Sequence, residues 1–213
     1  MNDLWKYEKE LYANNIKYIG GVDEVGRGPL IGPVVAACCV LPKDFKLDGL
    51  TDSKKLSEKK REKFNEYIKE HAICYGIGVV SEKRIDEINI YEATKEAMYD
   101  AINQVRNKIN LEHVLIDAMP LTLDIPNTSI IKGDSKSISI AAASVLAKVY
   151  RDHLLIELDK KYPMYGFSSH KGYPTKKHIE AIYKYGLIDG YRKTYGPIKK
   201  YMEEKNEFEF SKK

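Results

Sequence analysis

The chain has little of what several common protein classes require. Three cysteines among 213 residues, two of them adjacent at Cys38 and Cys39, do not make a disulfide framework and indicate a reducing compartment. No apolar run approaches the ~20 residues of a membrane helix, and residues 1–10 lack a signal-peptide core. We therefore expect a soluble, cytoplasmic protein with no membrane partner. HExxH, CxxC and GxSxG motifs are absent, which argues against the usual zinc-protease, zinc-finger and serine-hydrolase classes.

Net charge is also small. The 35 basic and 31 acidic residues leave a formal charge of +4, so the distribution of charge is more informative than its sum. Residues 161–201 carry nine Lys or Arg against two acids. Such a local excess is typical of a surface that binds nucleic acid, and a solvated basic surface is the alternative.

The hydrophobic pattern predicts an α/β fold. With 43% apolar residues, the chain can bury the core of one domain. Strands and helices are expected to alternate after an early cluster of strands, which favours a mixed sheet covered by helices. The predicted strands are 18–23, 34–41, 72–80, 113–118 and 128–132; the predicted helices are 3–14, 58–70 with Ser57 as its cap, 91–107 after a segment capped by Ser81, 137–160 and 176–185.

Acidic residues stand at the ends of three predicted strands. Asp23 and Glu24 end the first strand and precede the flexible, basic turn Gly26–Gly28, while Asp117 and Asp134 follow two later strands. Strand ends gather along one edge of an open α/β sheet, so these side chains can converge. Four clustered carboxylates repel one another unless divalent cations neutralise them. This edge is therefore a candidate site for Mg²⁺ or Mn²⁺ and for chemistry on phosphate.

Three alternatives remain at this point. Consecutive strand residues face opposite sides, so Asp23 and Glu24 share a site only if the strand ends or bulges there; otherwise they end the strand in solvent. Asp152 could act as a ligand, although a surface ion pair on a helix suits it equally well. The glycine spacing of residues 21–28 matches a P-loop, but Arg27 and Gly28 occupy the positions that require Lys and Ser or Thr.

Five blocks of sequence carry a resemblance to a known family. In chain order they are Gly21–Pro29, Asp52–Leu56, Lys132–Ser135, Ala142–Val149 with Arg151 and Asp152, and Tyr165–Phe167 with His170–Tyr173. In this order, over roughly residues 18–200, the chain resembles bacterial ribonuclease HII. The resemblance implies an RNase H-like fold, with a five-stranded mixed sheet flanked by helices and a small helical C-terminal extension.

The same resemblance implies an activity. The family consists of metal-dependent phosphodiester hydrolases that cleave the RNA strand of RNA/DNA hybrids. They also nick duplex DNA 5′ of single embedded ribonucleotides, leaving 3′-hydroxyl and 5′-phosphate ends, and act in ribonucleotide excision and RNA primer removal during DNA replication and repair. The implied mechanism uses two Mg²⁺ or Mn²⁺ ions.

Site residues follow from the matched motifs. The catalytic, metal-binding carboxylates correspond to Asp23, Glu24, Asp117 and Asp134. The turn Gly26–Gly28 matches the family's ribose-sensing turn, and Tyr173 matches the tyrosine that stacks on the following deoxyribose. The expected substrate-binding residues are Gly26, Arg27, Gly28, Lys54, Lys55, Lys171 and Tyr173. The histidines, including His170 and His178, are expected to be structural or to support backbone binding.

The domain division is expected to comprise a helical segment at 1–17, an RNase H-like core at 18–160, a helical substrate-binding part at 161–201 and a disordered tail at 202–213. We expect a monomer, in which Phe208 and Phe210 of the tail are candidates for contact with a replication clamp. Two other functions are considered. Ribonuclease HIII carries Gly-Thr-Gly in place of Gly26–Gly28 and adds an N-terminal domain, and a non-catalytic binder is expected to lack at least one of the four carboxylates.

Overall fold

Five strands and seven helices make up the part of the chain that the structure describes, residues 3–210 of a computed structural model, with side chains to residue 207. The strands are β1 Ile19–Val25, β2 Val34–Val40, β3 Cys74–Val80, β4 His113–Asp117 and β5 Asn127–Ile130. The helices are α1 Lys6–Ala13, α2 Glu58–His71, α3 Glu82–Arg106, α4 Ile138–Lys161, α5 Phe167–His170, α6 Lys176–Tyr185 and α7 Gly196–Phe210.

The strands form one mixed sheet in the order β3-β2-β1-β4-β5. β1 pairs antiparallel with β2 and parallel with β4, and β4 pairs parallel with β5. Every residue of β2 is buried, as expected for a run of seven consecutive apolar residues. The parallel pairing brings the carboxyl ends of β1, β4 and β5 to the same edge of the sheet. The five-stranded mixed sheet of the predicted fold class is therefore confirmed.

The described chain divides into two compact units. The first comprises residues 1–25, 35–79 and 94–150, and the second comprises residues 26–34, 80–93 and 151–213. In the first unit, the apolar N-terminal half of α4 is buried, as its composition predicts, and packs in one core with β1 and β2. Gly21 permits this close approach, because a Cβ at that position would overlap the backbone of Ser139 and Ile140.

The second unit has its own core, which aromatic rings dominate. Tyr165 and Phe167 stack with ring centroids 5.2 Å apart, and Tyr165 also contacts Tyr191 at 6.3 Å. Leu30, Ile31 and the apolar faces of α6 and α7 complete this cluster. An isolated bridge between Ile31 and Tyr191 adds main-chain pairing. This unit contains the whole of the basic segment 161–201.

Most helix ends lie where the sequence predicts them. Ser57 caps α2 by accepting the N–H of Lys60, and the Ser81 side chain accepts the N–H of Arg84 in α3. Asn89, with φ of 69°, interrupts α3, and its side chain accepts the N–H groups of Tyr91 and Glu92. The second part of α3 is therefore a newly capped helix, which agrees with a helix predicted to begin at residue 91.

Three segments differ from expectation. The segment 162–174, which lies between two predicted helices, contains a 3₁₀ turn, Pro163–Tyr165, and the short helix α5. Helix α7 extends through the expected tail as far as Phe210, while residues 211–213 and the side chains of Phe208 and Phe210 lie outside the described part. The surface location considered for Asp152 is wrong, since this residue is buried in the second unit.

All three cysteines are free thiols. Cys38 and Cys39 are completely buried in β2, and burial raises the pKa of both thiols. Cys74, at the start of β3, is partly exposed, and its pKa is raised less strongly, again mainly by burial. Among the described helices, none combines the length and the apolar character needed to cross a lipid bilayer.

Candidate active site

Three carboxylates converge at the sheet edge where β1, β4 and β5 end. Asp23 lies in β1, Asp117 is the last residue of β4, and Asp134 lies in the 3₁₀ turn Gly133–Ser135 that follows β5. One carboxylate oxygen of each lies within 4.8 Å of the others. The sequence predicts this convergence, and the parallel pairing of β1, β4 and β5 explains it.

Two of the three acids, Asp23 and Asp134, are held in an environment that disfavours their negative charge. Asp23 is only 6% exposed, and burial, then Glu24, then Asp117 raise the pKa of its carboxyl well above the ordinary value. Burial, then Asp52, then Asp117 raise the pKa of Asp134. A divalent cation would relieve this repulsion, and oxygen donors are the ligands that Mg²⁺ and Mn²⁺ prefer. The donor set therefore fits a hard divalent metal.

Glu24 is close to this cluster without belonging to it geometrically. It is absent from the group of three converging acids, although its charge acts on Asp23 and its N–H donates to the Asp23 carboxylate at 2.8 Å. β1 continues through Val25, which pairs with Val35 of β2, so the chain leaves the strand only at Gly26. Its assignment as the fourth ligand stays a prediction.

Local hydrogen bonds fix the backbone around the acids. The N–H of Gly133 donates to the Asp117 carboxylate at 2.6 Å, which ties the turn carrying Asp134 to the end of β4. Lys132 enters this turn in the left-handed conformation with φ of 56°. The hydrogen bond from Gly133 to Asp117 thus fixes the position of the turn that carries Asp134 relative to Asp117.

A pair of buried serines supports Asp23. Ser144 of α4 hydrogen-bonds to the Asp23 carboxyl, and its hydroxyl oxygen lies 2.8 Å from that of Ser53. Nearby, Ser137 donates to the buried carboxylate of Glu8, and Ser135 donates to the carbonyl of Lys132. The hydroxyls around α4 therefore have carboxylate, backbone or serine partners.

Asp52 is a site residue that sequence reasoning does not identify. Its carboxyl lies within hydrogen-bonding reach of Asp134, and it also accepts the N–H of Lys54 at 2.9 Å to cap a 3₁₀ turn. The only feature of the sequence that could have indicated Asp52 is its place before Lys54 and Lys55. Those two lysines suggest contact with phosphate, not an acidic site. Both lysines are exposed, and their contact with phosphate stays a prediction.

The second unit contains the other predicted substrate-binding residues. Gly26 is buried with φ of 96°, a conformation that side chains rarely adopt, whereas Arg27 and Gly28 are exposed. Tyr173 is 39% exposed, and its ring lies so close to the turn that a Cβ on Gly28 would be 3.2 Å from it. The structure thus brings Gly28 and Tyr173 together, as a shared binding role requires.

Two histidines hold the segment that carries Tyr173. His178 is fully buried; its Nδ1 lies 2.9 Å from the Tyr173 carbonyl and its Nε2 lies 2.8 Å from the Tyr191 hydroxyl. The carbonyl requires a proton on Nδ1, so Nε2 accepts from the hydroxyl. Burial lowers the pKa of His178 to about 4, which keeps the ring neutral. His170 stacks on it at 4.3 Å and contacts the Tyr165 carbonyl, consistent with a supporting role.

Comparison with known sequences agrees with the family that the five sequence blocks resemble. A family model described as Ribonuclease HII matches residues 20–195. The chain is similar to a Ribonuclease HII of Bacillus mycoides (strain KBAB4), with 57% identity over 197 residues, covering 92% of this chain and 76% of the relative. A Ribonuclease HII of Bacillus cytotoxicus is 56% identical over 203 residues, covering 95% and 78%.

Solved structures with a similar fold include two archaeal enzymes. The ribonuclease H2 of Pyrococcus horikoshii OT3 has a TM-score of 0.74 and 28% identity, covering 88% of this chain and 98% of that chain. The RNase HII in a PCNA:RNase HII complex from Archaeoglobus fulgidus has a TM-score of 0.70 and 26% identity, covering 82% and 91%. A Bst-RNase HIII in complex with Mn²⁺ has a TM-score of 0.65 at 17% identity, covering 91% and 72%, and shows the shared fold alone.

Proposed function

Because the chain belongs to the ribonuclease HII family and is therefore a ribonuclease H that acts on RNA/DNA hybrids, we propose that it also nicks duplex DNA at single ribonucleotides. The cut falls 5′ of the ribonucleotide and leaves 3′-hydroxyl and 5′-phosphate ends. Ribonucleotide excision and RNA primer removal in the cytoplasm are the processes that this reaction serves. The close approach of Gly28 and Tyr173 is the observation that carries this proposal.

The catalytic centre is the sheet edge that holds Asp23, Asp117 and Asp134, with Glu24 as the fourth acid. These residues would hold Mg²⁺ or Mn²⁺. When bound, a pair of such ions lowers the pKa of the attacking water and stabilises the departing 3′ oxygen. The protein's part is to hold the carboxylates so that they are aimed at one point. Ser144 serves this by donating to Asp23, and the N–H of Gly133 does so for Asp117.

Recognition of the substrate is divided among three kinds of contact. Main-chain groups of Gly26, Arg27 and Gly28 sense the 2′-hydroxyl, which is the group that separates ribose from deoxyribose. Tyr173 stacks on the sugar that follows. Lys54, Lys55 and Lys171 contact phosphates, which position the duplex without reading its sequence. The excess of basic residues in segment 161–201 supports this assignment.

A contact with a replication clamp is a further part of the proposal. The Archaeoglobus fulgidus relative was solved as a complex with PCNA. In this chain, the C-terminal end of α7 with Phe208 and Phe210 is the candidate segment, and we expect the enzyme to act as a monomer. Co-elution of the purified protein with a sliding clamp, compared with a variant truncated after residue 207, tests this contact.

A gel assay tests the proposed reaction. The substrates are a DNA duplex with one ribonucleotide, the same duplex without it, and a continuous RNA/DNA hybrid, each with Mg²⁺, with Mn²⁺ or with chelator. We expect metal-dependent cleavage of the hybrid and a single nick 5′ of the ribonucleotide, with no cutting of the all-DNA duplex. Cleavage of the hybrid without any nick at the lone ribonucleotide would contradict the proposal.

A further inference from the structure

Two arginines in the second unit have no solvent exposure at all. Arg151 and Arg192 are both 0% exposed, and burial lowers the pKa of each guanidinium, that of Arg151 to about 10. The positive charge of Arg192 further lowers the pKa of Arg151. Buried like charges are unfavourable unless hydrogen bonds compensate them. The hydrogen-bond acceptors of Arg151 and Arg192 therefore indicate the role of these two arginines.

Main-chain carbonyls of the segment 26–32, which contains the turn, accept most of the hydrogen bonds of Arg192. Its Nη2 donates to Gly26 at 2.6 Å and to Gly32 at 2.8 Å, its Nε donates to Gly32 at 3.0 Å, and its Nη1 donates to Arg27 at 3.1 Å. One planar guanidinium thus grips three carbonyls of the segment 26–32. The rigid fork of arginine permits this, whereas a lysine ammonium could not match all three directions.

Tyr195 reinforces the same grip. Its hydroxyl donates to the Arg27 carbonyl at 2.6 Å and accepts from Nη1 of Arg192 at 2.9 Å. The guanidinium also lies 5.1 Å from the centroid of the Tyr195 ring. The Arg27 carbonyl therefore receives two hydrogen bonds, which fixes the orientation of the peptide group between Arg27 and Gly28.

Arg151 joins the chain that follows the turn, at Ile31 and Pro33, to the segment that carries Tyr173. Its Nε and Nη2 donate to the carbonyls of Pro33 and Ile31, and its Nη1 donates to the carbonyl of Lys171, each at 3.0 Å. The N–H of Leu30 adds a bond to the Gly172 carbonyl at 2.8 Å. The turn and the Tyr173 segment are consequently held by one buried network.

Because peptide groups are planar, the hydrogen bonds to the carbonyls also set the direction of the neighbouring N–H groups. In a planar trans peptide, the carbonyl of one residue and the N–H of the next point in opposite directions. With the Gly26 and Arg27 carbonyls bound to Arg192, the N–H groups of Arg27 and Gly28 must point away from the buried guanidinium. Arg27 and Gly28 are the exposed residues of the turn, so these donors face the side that a ligand can reach.

We infer that Arg192 and Tyr195 are positioning residues for ribose recognition, which orient the main-chain N–H groups of Arg27 and Gly28 toward the 2′-hydroxyl. Neither residue touches the substrate. The inference rests on the proposed function, because it assumes that the turn senses this hydroxyl. Selectivity for ribose then depends on Arg192 and Tyr195, which lie more than 160 residues after Arg27 in the sequence, as well as on the turn itself.

Equilibrium binding separates this role from a general structural one. A fluorescent DNA duplex with one ribonucleotide and the same all-DNA duplex are titrated with Ca²⁺ in place of Mg²⁺, and a gel confirms that both stay intact. The quantity of interest is the ratio of the two Kd values. We expect Tyr195→Phe to reduce the preference for the ribonucleotide duplex about 3- to 10-fold and Arg192→Lys to reduce it further, with the Kd for all-DNA duplex unchanged.

Tyr183→Phe is the matched control, because it removes a tyrosine hydroxyl in the same unit that bonds to Glu204 instead of the turn. Its Kd ratio should equal that of the wild type. A purely structural role would weaken binding of both duplexes equally, so an unchanged ratio in both Tyr195→Phe and Arg192→Lys would overturn the inference and leave the proposed function intact. A wild-type protein with no preference would overturn both.

Discussion

Asp134 is the acid most suited to separating catalysis from folding, because it lies in a turn outside the sheet. We expect Asp134→Asn to reduce the cleavage rate at least about 100-fold. Burial and neighbouring acids raise the pKa of Asp134, so its charge destabilises the metal-free fold and the neutral amide should raise Tm slightly. Asp124→Asn, at an exposed acid paired with Arg106, is the control. Near-normal turnover by Asp134→Asn would refute its role.

His178 gives a pH dependence of stability whose direction can be stated. Its pKa is about 4 in the folded protein and ordinarily 6.5, so the unfolded chain binds the proton more readily between these values. Stability is therefore lost as pH falls from 6.5 toward 4. We expect the decrease in Tm between pH 7 and pH 4.5 to be about 5 °C larger in wild type than in His178→Gln. Thermal unfolding followed by circular dichroism measures both, and equal decreases would contradict the prediction.

Among the secondary-structure elements, helix α4 supports the edge of the sheet that carries the acids, because its Ser144 hydrogen-bonds to Asp23. Removing this hydroxyl leaves the buried carboxylate of Asp23 without one of its donors and Ser53 without its partner. We expect Ser144→Ala to lower kcat about 10-fold with little change in KM, since substrate contacts are untouched. Ser129→Ala, which removes a hydroxyl bonded to the Met119 carbonyl, is the control and should retain its rate. An unaltered kcat in Ser144→Ala would argue against this support.

Strands and capped helices could be predicted from the sequence because each has a local cause. The apolar runs of β2 and β4 and the serine caps of α2 and α3 act within a few residues. The three converging acids also follow, since each stands near or just after the end of a predicted strand. The roles of Arg192, Tyr195 and Asp52 could not be predicted, because their partners are distant main-chain or carboxylate oxygens. The pattern of polar and apolar residues did not predict helix α7.

For the molecule as a whole, the carboxylate cluster couples metal binding to stability. If divalent cations bind the folded acids and not the unfolded chain, as the proposed function requires, Mn²⁺ at about 100 times its Kd adds about 2.7 kcal/mol to the free energy of unfolding. For a protein of this size, that corresponds to a rise in Tm of roughly 5–10 °C. Since burial and Glu24 raise the pKa of Asp23, protons compete with the metal and the rise should be smaller at pH 5.5 than at pH 8.

Calorimetry with and without Mn²⁺ measures this coupling. Asp134→Asn should show a much smaller rise in Tm, because it removes one of the three converging oxygen donors. Ca²⁺ or Mg²⁺ can be compared in the same way. If wild type and Asp134→Asn gained equally, the ion would be acting elsewhere on the protein.

The burial of Cys38 and Cys39 has a practical consequence. Maleimide dyes react with accessible thiolates, and the two strand thiols are shielded from reagent, whereas Cys74 at the entrance to β3 is partly accessible. The unmodified sequence therefore provides a single attachment point for a fluorophore, without any cysteine having to be removed first. A probe at that position would report on the protein in single-molecule experiments while leaving the carboxylates and the turn Gly26–Gly28 chemically unaltered.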